Sequence, residues 1–181
     1  MGCMPAALTI AQTFCQDWSP GWTKSPPRVR LQPMTPERAT KHIVQKVIFD
    51  AEPRGVFDAL MVSRKHAAFT GSAASIHPRI GGSFSCYDGY ITGFTIELEP
   101  SKRIVQVWRS RGWPKGTYSI VTFELKRKGP RKTELRFSQS GVPASDYAEK
   151  QKGWRTHYWE PLSAFLRRQK PTKTVRSPGR K

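Results

Sequence analysis

A chain of 181 residues with 37% hydrophobic residues is long enough to bury one good core, and nothing in its length requires two domains. Its net charge of +18 is uneven, because residues 1–40 carry +2, residues 41–166 carry +9 and residues 167–181 carry +7. No run approaches the ~20 apolar residues that a membrane helix needs, so a membrane span is excluded.

The first forty residues hold six of the fifteen prolines and show neither the period of a strand nor that of a helix. We therefore predict a disordered N-terminal lead over 1–40 and a basic disordered tail over 167–181. Met34 lies just before the first predicted strand, and translation from this methionine is an alternative hypothesis. The N-terminus lacks the pattern of a signal peptide and the three cysteines have no CxxC spacing, so we expect a cytoplasmic protein.

The domain begins with a strand and two short helices. Residues 42–51 are rich in β-branched and aromatic side chains, which predicts a strand, and Pro53 is suited to the first turn of a helix. Ser63 is predicted to cap a second helix that ends at Gly71.

A series of strands follows, separated by Gly, Pro, Asp-Gly or charged breaks. The predicted strands are 76–80, 82–87, 90–98, 103–110, 117–125 and 133–140. Six consecutive strands with short breaks indicate an antiparallel meander. Alternation predicts that the inward side chains include Phe94, Ile96, Leu98, Val121, Phe123, Leu125, Leu135 and Phe137.

Large aromatic side chains at helical spacing close the domain. Trp154, Tyr158, Leu162 and Phe165 fall on one stripe, which needs a wide apolar surface to lie on. The strands supply that surface, so we predict a long C-terminal helix gripped by a curved sheet. Pro161 removes a backbone donor inside this helix and is predicted to bend it near Tyr158.

Several short motifs occur in an order and spacing that resemble a known family. They are Gly81-Gly82-Ser83-Phe84, Asp88-Gly89-Tyr90-Ile91-Thr92-Gly93-Phe94, Glu97-Leu98-Glu99-Pro100, Arg103-Ile104-Val105, Trp108-Arg109, Trp113-Pro114 and Gly153-Trp154. The segment from 41 to 166 is similar to the domain shared by activators of the heat-shock-protein-90 ATPase and their bacterial relatives, within the START/birch-pollen-allergen (SRPBCC) superfamily. The resemblance implies an α+β helix-grip fold with a curved antiparallel sheet of about six or seven strands, two short helices and a long C-terminal helix.

The space between the sheet and the last helix is the first candidate site. Related folds leave an apolar cavity there, so the resemblance implies a non-enzymatic module that binds a lipid-like or aromatic small molecule. The alternative is a plain packed core. The candidate cavity residues are Phe57, Phe84, Phe94, Trp108, Phe123, Phe137, Trp154, Tyr158, Leu162 and Phe165.

The resemblance also implies a co-chaperone role, in which the domain docks on a chaperone-type ATPase. Eukaryotic activators carry an additional N-terminal domain that stimulates the ATPase, and residues 1–40 are too short to supply it. Candidate docking residues are Arg103, Arg109, Arg111 and Lys115, whose charge predicts salt-sensitive association.

A cyclase- or hydrolase-like enzyme of the same superfamily is the third hypothesis. The sequence has no GxSxG elbow, no HExxH helix and no P-loop, and its four histidines are scattered. We therefore expect no catalytic residue, metal ligand set or cofactor. The basic residues crowd into 126–132 and the tail, without a nucleic-acid-binding motif, so no specific nucleic-acid partner is expected.

Overall fold

The structure, a computed structural model, describes residues 39–169. The predictions of a disordered lead, a start at Met34 and a disordered tail beyond Gln169 lie outside these residues. The elements in chain order are β1 (Thr40–Phe49), α1 (Pro53–Met61), α2 (Ser63–Thr70), β2 (Ser75–Ile76), β3 (Ser83–Cys86), β4 (Ile91–Glu99), β5 (Arg103–Ser110), β6 (Ser119–Gly129), β7 (Lys132–Pro143), α3 (Tyr147–Gly153), a π-helical segment (Trp154–Trp159) and α4 (Glu160–Arg168).

The described strands form one seven-stranded antiparallel sheet in the order β1-β7-β6-β5-β4-β3-β2. The predicted meander is confirmed from β2 to β7, and β1 pairs beside the last strand. β6 is longer than predicted because its pairing with β7 continues through the basic residues to Gly129 and Lys132. β7 is longer mainly because its pairing with β1 continues to Pro143. Exposed Lys and Arg side chains on a hairpin do not interrupt its backbone ladder.

The two short helices are confirmed, and α2 ends at Gly71, whose φ of +71° suits glycine. The predicted capping role of Ser63 is wrong, because Ser63 is the first residue of α2 and makes no cap. Its hydroxyl instead accepts a hydrogen bond from the backbone N–H of Ile76 at 2.9 Å. Ser63 therefore joins α2 to the short edge strand β2.

We call the consecutive α3, π-helical segment and α4 the helical unit, and it changes from π-helical to α-helical geometry just before Pro161. Residues Trp154–Trp159 are π-helical, and α4 continues from Glu160. Because Pro161 has no N–H, it cannot donate to the carbonyl of His157 one turn earlier. The hydroxyl of Tyr87 donates to that carbonyl at 3.0 Å instead. Near Tyr158, where a bend was predicted, the structure shows a π-helical segment, and the bend itself stays a prediction.

All the helices that carry buried residues pack on one face of the sheet. The core of that face includes the predicted inward residues Val121, Phe123, Leu125, Leu135 and Phe137, all of which are buried. This arrangement confirms the predicted α+β helix-grip fold, with the helical unit lying across the sheet. We call the opposite side of the sheet the open face.

β4 is where the predicted inward face is wrong. Phe94 is 42% exposed and Ile96 equally so, whereas Thr95 between them is fully buried. The pairing with β5 skips Ile96, which forms a β-bulge, and Leu98 then packs against the core as predicted. Gly93 lies on the inner side, where a Cβ would come within 3 Å of the Phe84 ring. Close packing of Phe84 therefore requires glycine at this position.

Candidate functional site

An open pocket of about 590 Å³ lies on the helix-covered face of the sheet, beside α3 and the π-helical segment. Its apolar walls come from Ile91 at the start of β4, Trp108 on β5, Trp113 in the following turn, and Trp154 and Tyr158 on the helical unit. This volume lies within the range of roughly 300–1,000 Å³ that is typical of small-molecule sites. The sheet and the helical unit thus leave an open space between them.

Of the ten predicted cavity residues, Trp108, Trp154 and Tyr158 line this pocket. Most of the others fill the core, because their rings pack directly on one another, as Phe137 does on Trp154 at a centroid distance of 4.2 Å. Phe94 lies on the open face and cannot reach the pocket. The remaining six are buried or packed against the core: Phe57, Phe84, Phe123, Phe137, Leu162 and Phe165.

Sequence reasoning missed the outer wall of the pocket. The structure places Tyr87, Tyr90 and Trp113 in turns, although Tyr87 and Tyr90 fall at the ends of predicted strands. Lys150 lies on α3 ahead of the aromatic stripe. Tyr90 and Trp113 belong to the motifs that carry the family resemblance, and membership of these motifs could have marked them as candidate site residues. The stripe also missed Trp159, which is 4% exposed, because a π-helical segment does not keep the α-helical period.

The polar groups of the pocket's aromatic walls are paired with partners in the protein. Trp154 donates its indole N–H to Gln139 at 2.7 Å, and Trp113 donates to Asp146 at 2.6 Å. Ser110 differs, because its hydroxyl is one of two buried side-chain polar atoms without a hydrogen-bond partner among residues 39–169. The pocket therefore combines apolar ring surfaces with one unpaired hydroxyl beside them.

Lys150 is the cation of the pocket wall with a largely buried side chain. Its side chain is 15% exposed, and its ammonium donates to the Tyr90 hydroxyl at 3.0 Å and to Glu149 at 3.3 Å. Burial lowers the pKa of Lys150, but the hydrogen bonds to Tyr90 and Glu149 outweigh this effect and leave it raised. The pocket thus contains a positive charge at neutral pH.

His66, Cys86 and Tyr158 form a buried cluster behind the pocket. A hydrogen bond of 2.9 Å joins His66 Nε2 to the Tyr158 hydroxyl, and Cys86 Sγ lies 3.8 Å from the same nitrogen. Burial lowers the pKa of His66 to about 4 and raises the pKa of Cys86 to about 12. A neutral imidazole beside a protonated thiol is a poor nucleophilic pair at neutral pH. In the described part of the chain, no group of three His, Cys, Asp or Glu residues could hold a metal ion.

The four predicted docking cations do not form one cluster. Arg103 pairs with Glu97 and Glu124 at one end of β5, roughly 20 Å from Arg109 at the other end, at ~3.3 Å per strand residue. Arg109 donates to the Trp113 carbonyl and Arg111 to the Asp88 carbonyl, whereas Lys115 is an exposed turn residue. Arg103 and Arg109 are close in sequence but far apart in space because β5, which carries both, is extended.

The open face contains an apolar patch instead. Phe94 pairs with Val107 across β4 and β5, and Val107 pairs with Ile120 across β5 and β6, so the three form one cross-strand row. Tyr118 lies two residues before Ile120 along the chain, and Phe94, Tyr118 and Ile120 are all exposed. We call Phe94, Val107, Tyr118 and Ile120 the open-face patch. An exposed apolar group of this kind is typical of a protein-binding surface.

The sheet, the helical unit across it and the pocket between them define a helix-grip domain, and comparisons with known proteins narrow the class. The family model described as activator of Hsp90 ATPase homolog 1-like protein matches residues 50–167. An activator of 90 kDa heat shock protein ATPase homolog from Dictyostelium discoideum is 33% identical over 67% of the chain. A human activator homolog 1 is 29% identical over 75% of the chain. The chain therefore belongs to the activator of Hsp90 ATPase homolog 1-like family.

Solved structures agree with this assignment. The crystal structure of an HSP90 activator from Plasmodium falciparum matches with a TM-score of 0.62 and 26% identity, covering 70% of this chain and 95% of that one. A Mesorhizobium loti protein matches with a TM-score of 0.63 at 22% identity, over 72% of this chain and 99% of that chain, which supports the fold alone. The chain spans only 32% and 40% of the length of the Dictyostelium and human relatives. Among residues 39–169, no helix is long and apolar enough to cross a membrane.

Proposed function

We propose that this domain binds a 90 kDa heat-shock protein as a co-chaperone-type partner. The observation that carries the proposal is the family match over residues 50–167, together with relatives named as activators of that chaperone's ATPase. Because the chain spans less than half of those relatives, the proposal concerns binding, and a change in ATPase rate serves as a readout.

The open-face patch is the surface that we assign to this contact. Its apolar side chains are exposed, and charged groups border it, with Arg109 beyond one end and the ion pairs of Arg103 beyond the other. An apolar centre with a polar rim is the usual anatomy of a protein interface. Three of the four predicted docking cations already bond within the domain, which makes them weaker candidates.

The test measures binding of the full chain to a purified 90 kDa heat-shock protein by calorimetry, with the chaperone's ATPase rate followed in parallel. The double variant Phe94→Ser and Ile120→Ser should weaken binding about tenfold or more. Val62→Ser is the control, since Val62 is an exposed apolar residue between α1 and α2, away from the open face. Equal loss in the double variant and in Val62→Ser, or no binding by the wild-type chain, would contradict the proposal. A steep loss of binding at high salt would instead implicate exposed Lys and Arg side chains.

We propose as a second candidate function that the pocket beside α3 binds an apolar, lipid-like or aromatic small molecule. The observation that favours it is the open pocket of about 590 Å³ with tryptophan and tyrosine walls. Tyr and Trp side chains offer large apolar surfaces with polar tips that can orient a ligand.

A thermal-shift series with the full chain tests this second candidate. A ligand that binds the folded state should raise Tm progressively with its concentration. Gly153→Leu is the blocking variant, because Gly153 lines the pocket. A Cβ added at Gly153 would meet no other heavy atom within 4 Å, so the leucine side chain can occupy pocket space without a clash at its Cβ. Leucine also suits a helix better than glycine does. A Tm rise that persists in Gly153→Leu would rule out this pocket as the binding site.

A further inference from the structure

The charge of the pocket is informative about what would occupy it. Lys150 is held against Tyr90, with its ammonium 5.1 Å from the centroid of that ring, and its largely buried side chain lines the pocket. Its acidic partner is weak, because Glu149 is 78% exposed and 3.3 Å away. Solvent therefore screens this ion pair strongly.

The ammonium also retains hydrogen-bonding capacity. A lysine ammonium has three donors, and the described residues supply two acceptors to Lys150, the Tyr90 hydroxyl and the Glu149 carboxylate. A ligand anion would supply a third acceptor and a compensating charge. Charge-assisted hydrogen bonds are stronger than neutral ones, and partial burial of the ammonium increases that difference.

The rest of the pocket favours ring systems over chains. The indole N–H groups of Trp108, Trp113 and Trp154 are all engaged elsewhere, with Gln106, Asp146 and Gln139 respectively, so these side chains present ring surfaces to the pocket. Aromatic pairs gain from offset or edge-to-face packing beyond simple burial. The Ser110 hydroxyl beside these rings is buried below the pocket surface, so Lys150 remains the polar group that we assign to ligand recognition.

We propose that the pocket selects an aromatic acid, a small multi-ring molecule with one anionic group that pairs with Lys150. This inference rests on the second proposed function, since it requires that the pocket bind a ligand at all. It adds the chemical class of that ligand and the residue that recognises its charge.

Two fluorescent probes with the same rings separate charge from shape. Anilinonaphthalene sulfonate carries an anion, and N-phenylnaphthylamine is its neutral counterpart. We expect the full chain to bind the sulfonate about tenfold more tightly than the neutral probe. Lys150→Met should remove that preference while leaving affinity for the neutral probe unchanged, because methionine keeps a similar apolar bulk.

The controls distinguish the two proposals. Lys126→Met removes an exposed cation of the β6–β7 hairpin and should leave both affinities unchanged, whereas Gly153→Leu should abolish binding of both probes. Equal affinity for the two probes, lost in Gly153→Leu, would overturn the aromatic-acid proposal and keep the apolar pocket. Binding that survives in Gly153→Leu, or no binding at all, would overturn both.

Discussion

His66 is enclosed by α2, the sheet and the π-helical segment, and it is 1% exposed. Its Nε2 bonds to the Tyr158 hydroxyl, while its Nδ1 has no partner. A proton on this ring would bring a charge into an aromatic environment formed by Phe69 and Tyr158. Burial therefore favours the neutral imidazole and lowers its pKa to about 4.

A loss of stability at mildly acidic pH follows from this histidine. His66 takes up its proton near pH 6.5 in the unfolded chain and near pH 4 in the folded protein. The folded state therefore has its full stability with respect to this group above pH 6.5 and loses stability as the pH falls to 4. The loss should be roughly 3 kcal/mol for a shift of this size. Urea unfolding measured between pH 6.5 and pH 4 should show this loss of unfolding free energy in the wild type and not in His66→Gln. His77→Gln, at an exposed position, should behave as the wild type does.

At the scale of elements, the contact between Tyr87 and the helical unit compensates for the donor that Pro161 lacks. Tyr87→Phe removes the hydrogen bond to the His157 carbonyl and should cost about 1 kcal/mol of unfolding free energy. In a Pro161→Ala background the same change should cost less, because residue 161 then has an N–H near that carbonyl. Denaturant unfolding of the four proteins in a double-mutant cycle measures the coupling. Strict additivity would contradict this account.

The elements also explain which parts of the molecule were predictable. β5 begins and ends as predicted, and β6 and β7 bury the expected residues, because regular alternation is directly readable. Phe94, Ile96 and Leu98 alternate equally well, but the bulge at Ile96 and the close packing at Gly93 depend on neighbouring strands. A cavity was predicted between the sheet and the last helix, and an open pocket lies there. Most of the residues that line it were not predicted, since its outer wall comes from turns and α3.

At the scale of the whole molecule, the core is continuous from β1 to α4. Ile43 near its start and Leu166 near its end belong to the same buried cluster. We propose on this basis that residues 39–169 form an autonomous folding unit. A protein of that length should unfold cooperatively, with a Tm within ~5 °C of the full chain, equivalent to about 1 kcal/mol. Near-UV circular dichroism during thermal unfolding would report this, and a loss of cooperativity would contradict it.

The π-helical segment takes up one residue more than a regular α-helix would need. A π-helical turn accommodates one residue more than an α-helical turn, and here it buries Trp154, Tyr158 and Trp159 together. Because the extra residue is contained within one turn, deleting one residue of the segment restores an α-helical turn and leaves the facing of the later side chains unchanged. Leu162 and Leu166 would then stay in the core. The chain should therefore tolerate the loss of one exposed residue here far better than the same loss within a regular helix, which rotates all later residues by about 100°.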